Sequence, residues 1–218
     1  MIISLGPRKI GLSLAIYGFS QFVNPPLNEI TIIVNMEMTK SEQKFAMAAL
    51  AMFQKFGVRK ATMEEIAAEA GVSKPTLYAT FRNKDAALAG SIRLAKGAAV
   101  TAVRDAWKGA DDLGQKLDLF FDRLVVAGFD MLHSAPDANA FDTAIGEASK
   151  AAIRDTRAAE KALVTEALMD RPLIGTTPEA YADFIVTAAM QAKRQSESRE
   201  DLLAFLAELK RSVLVVAG

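Results

Sequence analysis

From Lys40 onward, apolar and polar residues alternate with the period of a helix. Phe45, Ala49, Met52, Phe53 and Phe56 fall at i, i+4, i+7, i+8 and i+11, one face of a 3.6-residue repeat. Gly57 follows where a helix end favours a left-handed residue. In "ATMEEIAAEAG", Thr62 and Glu65 have the Ser/Thr-x-x-Glu spacing of a capping box, which predicts a second helix from about Met63 that stops before Gly71. Ser73 then caps a third helix, with Pro75 in its first turn, where a missing N–H is harmless. Asn83 caps a fourth, with Asp85 well placed against the helix dipole. Beyond it the periodicity predicts helices at about 84–108, 112–134, 138–169, 178–195 and 198–216, the third of them broken near Ile145 and Gly146. The connections "GADDLG", "SAPDAN" and "DRPLIGTTPE" carry turn chemistry. With no strand pattern, no repeat and no low-complexity tract, the chain reads as all-α.

Composition narrows the chemistry. The 218 residues contain no Cys and one His, His133. That excludes disulfides, thiolate nucleophiles and Cys-based metal sites, and leaves no His cluster for a metal or a proton relay. No glycine-rich phosphate loop is present and the acids are scattered, so an enzyme built in the helical body is the weakest alternative, and no cofactor or metal is expected. Net charge is zero but uneven. Residues 39–85 carry eight Lys/Arg against five Asp/Glu, whereas residues 86–218 carry sixteen against nineteen. The asymmetry divides the chain into a compact basic unit at 39–85 and a larger acidic helical body at 86–218.

Residues 1–38 stand apart. Arg8 and Lys9 precede an apolar stretch from Ile10 to Phe19, shorter than the roughly 20 residues a bilayer span requires and without an A-x-A-like cleavage site. An export signal, a surface-binding arm and an upstream extension of a chain starting at Met36 or Met38 all fit, the last being preferred. A membrane-associated protein anchored through residues 8–23 is the corresponding functional alternative. No membrane partner is expected if translation begins at Met36 or Met38.

Two short helices joined by a glycine-containing turn, the second opening on a capping Ser, form a helix-turn-helix pattern. Ala67 is small where the helices cross, and Ile66, Val72, Leu77 and Phe81 turn toward the first helix. Lys74, Pro75, Thr76, Tyr78 and Ala79 are left on the outer side of the third. Lys74 and Tyr78 share a face at i, i+4. A lysine, a hydroxyl and a phenol at the start of a short helix suit major-groove entry with phosphate contacts. The start of the fourth helix, with Lys84 and free N–H groups, adds a phosphate clamp. Such a corner can also be purely structural, with its outward Lys and Tyr merely solvated.

The run "GVRKATMEEIAAEAGVSKPTLYATFRNKDAAL", residues 57–88, resembles the DNA-binding region of TetR-family transcriptional regulators. It has a Thr-led second helix, an "AGVS" turn, a "TLY..F" recognition helix and an "NK" start to the fourth helix, in order and at the expected spacing. The resemblance covers about residues 40–90. It implies a cytoplasmic homodimer that binds a palindromic DNA operator, as a repressor or alternatively an activator, and responds to a small-molecule effector bound in the C-terminal domain. Carried over by position, Lys74, Thr76 and Tyr78 lie on the recognition helix and Lys84 at the phosphate-contacting start of the next. With Thr62, Ser73 and Pro75 they make up the candidate DNA-binding set. Small or polar residues are also common where this chain has Pro75, which limits base contact there to apolar contact.

The resemblance further implies that the last two helices form an intermolecular four-helix bundle. Tyr181, Phe184, Ile185, Ala188, Ala189 and Ala192 make one stripe, and Leu202, Phe205, Leu206, Leu209, Val213 and Val216 another, though intramolecular core demands the same pattern. Candidates to line an effector cavity are Trp107, Phe120, Phe121, Leu124, Phe129, Met131, Leu132, His133 and Phe141, with His133 as the orienting polar group. Aromatic and Met residues at helical spacing are more often plain core, and a lone His more often an ordinary core or surface residue. The scarcity of clustered charge on these faces points to a largely apolar effector.

Overall fold

The structure, a computed structural model, describes residues 38–134 and 145–218. Phe141, the "SAPDAN" connection beyond Ser134, the first part of the 138–169 segment and residues 1–37 lie outside the described residues. Every described element is a helix. The first four are α1 Lys40–Phe56, α2 Met63–Glu69, α3 Lys74–Thr80 and α4 Lys84–Trp107. Their starts are chemically fixed. Thr39 with Glu42, and Thr62 with Glu65, form reciprocal capping boxes, while Ser73 and Asn83 each accept one first-turn N–H. Gly57, at φ 82°, ends α1, and Gly71, at φ 63°, makes the turn between α2 and α3. Both conformations strain any residue bearing a Cβ.

Phe45, Ala49, Met52 and Phe53 of α1 bury against Ile66 and Ala67 of α2, Leu77 of α3, Phe81, and Ala87 and Leu88 of α4. This first core therefore continues into α4, past the charge boundary at residue 85. Val72 is half-buried against it. Gly90 allows the close approach of α4 to the end of α3, since a Cβ there would meet the Phe81 ring at 2.7 Å.

The remaining helices build a second core around the far half of α4. They are α5 Leu113–Phe120, α6 Ala127–Ser134, α7 Glu147–Leu168, α8 Pro178–Gln195 and α9 Arg199–Val216. α4 packs most extensively on α7, which also packs on α8, and α8 in turn packs on α9. Arg93–Asp155, Lys96–Glu160 and Arg104–Glu166 ion pairs run in step along α4 and α7. Although α4 is long and apolar enough to span a membrane, it is instead the element shared by both cores.

Periodicity predicts one α-helix over 112–134, and the chain is helical there, but residues Phe121–Val126 widen into a π-helical segment. The reason is local. Phe120 and Phe121 are both buried, as are Leu124, Val125 and Val126, and a regular 3.6-residue turn would direct part of such a run outward. The extra residue per turn keeps them inside.

Candidate nucleic-acid interface

α3 is held by one side and displayed by the other. Leu77 is fully buried, whereas Lys74, Pro75, Thr76 and Tyr78 are exposed. The predicted outward set is thus found together on one surface. Its polar groups are already engaged with one another. Thr76 Oγ1 lies 2.8 Å from Ser73 Oγ, and the Lys74 ammonium sits 5.8 Å from the centre of the Tyr78 ring. Lys74 also pairs with Glu64 on α2. The hydrogen bond between them raises the lysine pKa and lowers that of the carboxyl. Glu64 therefore neutralises the face and would have to yield Lys74 to an incoming phosphate or base.

Thr62 and Ser73 act here as helix caps. Thr62 accepts the Glu65 N–H, and its own N–H donates to the Glu65 carboxylate at 2.8 Å. Ser73 accepts from Thr76 N–H at 3.3 Å. Lys84 departs from expectation. Its half-buried side chain donates to the carbonyls of Arg59 and Ala61 at 2.9 and 3.2 Å. It therefore ties the α1–α2 connection to the start of α4, with at most one N–H left for a phosphate. The exposed Arg59 and Lys60 of that connection are cations that helix-based reasoning overlooked, because they belong to no periodic element.

Asp85 does more than meet the α4 dipole. Its carboxylate accepts the backbone N–H groups of Gly146 and Ala148, both at 2.9 Å, and of Ser149 at 3.3 Å, together with the Ser149 hydroxyl at 2.5 Å. It thereby caps α7 from 61 residues away in sequence. Burial raises its pKa, but the bonds from the Ser149 hydroxyl and the three amides outweigh this and leave the carboxyl below its ordinary value. Gly146 leaves the necessary space, since a Cβ there would stand 2.5 Å from Asp85 Oδ2. Nothing in the local sequence signals this contact.

The other predicted sets divide. Trp107, Phe120, Phe121, Leu124 and Phe129 are closely buried in the second core, and the Trp107 indole N–H donates to the Lys116 carbonyl at 2.8 Å. Met131 and His133 are exposed and Leu132 is half-buried. His133 stacks on Phe129 at 3.8 Å and bonds its carbonyl through Nδ1. It is thus an outward group and not the polar centre of a cavity, because α6 turns it away from the core. Of the dimerisation stripes, Tyr181, Ile185, Ala189, Ala192, Leu202, Leu206, Leu209 and Val213 are buried within the chain itself. The family resemblance pointed to a partner for these stripes, and this part of them fills the chain's own second core, as the intramolecular alternative allowed. Phe184 and Phe205, at 53% and 44% exposure, remain outward, with Ala188 and Val216 half-buried. A surface cleft bordered by Ala188, Gln191, Ala192, Gln195 and Phe205 runs between α8 and α9.

Comparison with known proteins returns one domain and one fold. The family model for bacterial regulatory proteins of the tetR family matches residues 47–89. No curated protein matches the chain. Among solved structures, a candidate TetR-family transcriptional regulator from Mesorhizobium loti is 23% identical, with 83% of this chain and 100% of that one covered and a TM-score of 0.53. A TetR transcriptional regulator from Legionella pneumophila is 11% identical, covering 81% and 99% with a TM-score of 0.58. The reduced form of NemR from E. coli is 18% identical, covering 79% and 96% with a TM-score of 0.54. At such identities the structures share the fold with this chain.

Proposed function

We propose that this chain, whose residues 47–89 match the tetR-family model and whose fold is shared with TetR-family structures, is a TetR-family DNA-binding regulator that acts as a cytoplasmic homodimeric repressor of a palindromic operator, released by a small molecule. The observation that supports the DNA role most directly is α3, whose apolar Leu77 anchors a seven-residue helix while Lys74, Pro75, Thr76 and Tyr78 face outward. Lys74 and Thr76 are assigned to base edges, Tyr78 and the amides at the start of α4 to phosphates, and Lys84 to holding the α1–α2 connection beside them. Phe184 on α8 is exposed, and exposed Phe205 on α9 borders the cleft between the two helices, which suits a two-fold contact matching a two-fold operator.

Selection of preferred DNA from a random library, followed by fluorescence titration at several salt concentrations, tests the reading. Tyr78→Ala should weaken binding to all sequences with a shallower salt dependence, whereas Lys74→Ala and Thr76→Ala should alter sequence preference. No enrichment of any sequence, or unchanged binding in all three variants, would reject the assignment.

A further inference from the structure

Behind the DNA-binding unit, charged side chains from three helices converge in the interior. Glu160 of α7 is 1% exposed. Lys96 of α4 donates to its carboxylate at 2.7 Å, and Arg157 Nε lies 3.6 Å from its other oxygen. Lys193 of α8 reaches the same group across α6, where Gly128 leaves room. A Cβ at Gly128 would stand only 3.4 Å from the Lys193 Nζ. The Lys193 side chain is half-buried and makes no hydrogen bond or ion pair among the described residues. Burial, and then repulsion from Lys96, lower its pKa to about 7, against the opposing pull of Glu160, with further repulsion from Arg157 and Arg194.

The charges do not balance. Lys96 and Arg157 contact one carboxylate and Lys193 feels its charge, so cations outnumber anions, and a half-buried cation without a partner is stabilised when an anion joins it. The location is also selective. On α4, Leu94 packs against the first core and Ala99 against the second, with Lys96 between them. Every α4 residue from Ile92 to Ala99 is half-buried, so apolar surface lies on both sides of the cationic group.

We propose that Lys96, Arg157 and Lys193, arranged around Glu160, form a binding site for the carboxylate of a small organic acid whose apolar part lies along α4. This gives the largely apolar effector expected from the sequence an anionic end. Lys193 supplies the new charge-assisted bonds, and Lys96 and Arg157 are shared between Glu160 and the ligand. That the acid controls DNA binding rests on the function proposed above. That it binds does not.

Isothermal titration of the full chain with benzoate, octanoate and their neutral amides tests the site. The expected result is binding of at least one carboxylate at least about tenfold tighter than its amide, a difference of about 1.4 kcal/mol. Lys193→Met should abolish that preference and Arg157→Gln should reduce it, whereas Glu160→Gln, which removes the competing carboxylate, should strengthen it. Circular dichroism establishes that each variant is folded. Equal affinity for acid and amide, no binding of either acid, or an unchanged preference in folded Lys193→Met would overturn the proposal. A parallel DNA titration separates the two claims: an acid that binds through Lys193 without changing DNA affinity leaves the site standing and rejects its role as effector.

Discussion

Replacing Lys193 by methionine removes an ammonium that its surroundings disfavour while keeping most of the aliphatic stem that crosses Gly128. A lysine held at about 7 instead of 10.5 has its charged form penalised by up to about 5 kcal/mol, at about 1.36 kcal/mol per tenfold change in proton affinity. Relaxation of the surroundings and the loss of a cation near Glu160 reduce the gain, so the expected stabilisation at pH 6.5 is about 1–3 kcal/mol. The sign of the pH dependence follows from proton counts. Below the folded pKa, both folded and unfolded chains carry the proton and the penalty is complete. Between about 7 and 10.5 the unfolded chain holds the proton that the folded one has released, so wild-type stability rises with pH. From pH 7 to pH 9 the advantage of Lys193→Met should therefore shrink by up to about 2 kcal/mol. Urea unfolding at fixed protein concentration, at pH 6.5 and pH 9, measures both quantities. A variant less stable than wild type at pH 6.5, or a difference that does not change with pH, would refute the reasoning.

Asp85→Ala should lower stability by about 1–3 kcal/mol at pH 7, from loss of the α7 cap. Because the folded pKa of Asp85 is lowered, the wild-type advantage is complete above the ordinary carboxyl value and disappears as pH falls through the folded one; a difference from wild type that stays constant down to pH 2 in urea titrations would count against this. Leu77→Ala should reduce stability by about 2–5 kcal/mol and loosen α3, read as faster amide exchange there than in α9. Phe184→Glu should shift sedimentation equilibrium toward a monomer and weaken operator binding, and an unchanged mass distribution would place the interface elsewhere.

Local chemistry was legible wherever the cause lies within a few residues. The caps at Thr62, Ser73 and Asn83, the glycine stops at 57 and 71, and the outward side of α3 all follow from spacing. Long-range choices were not legible. An apolar stripe on α8 states that a face is covered but not whether Ile185 meets the chain's own core or a partner, and the structure divides that stripe between Ile185 and Phe184. The π-helical segment escapes periodicity because its cause is five apolar residues that must all remain inside. Lys96, Glu160 and Lys193 come from three helices, so no linear pattern connects them. Only the Arg157–Glu160 spacing was readable, and by itself it describes an ordinary helix surface.

The Asp85 contact adds to the three ion pairs that fasten α7 to α4. It joins the start of α4 to the amides that open α7, and the most buried of the pairs joins Lys96 to Glu160. They are 11 residues apart on α4, roughly 16 Å at about 1.5 Å per residue. Two helices riveted at both points cannot slide past each other gradually, because a shift of even one residue's rise takes a hydrogen bond beyond its working distance. Release of the Lys96 rivet and the exposed pairs beside it leaves the outer one as a pivot, located at the first turn of the helix that follows α3. Gly146, which at φ −99° could be any residue on conformational grounds, is confined to glycine by that pivot alone.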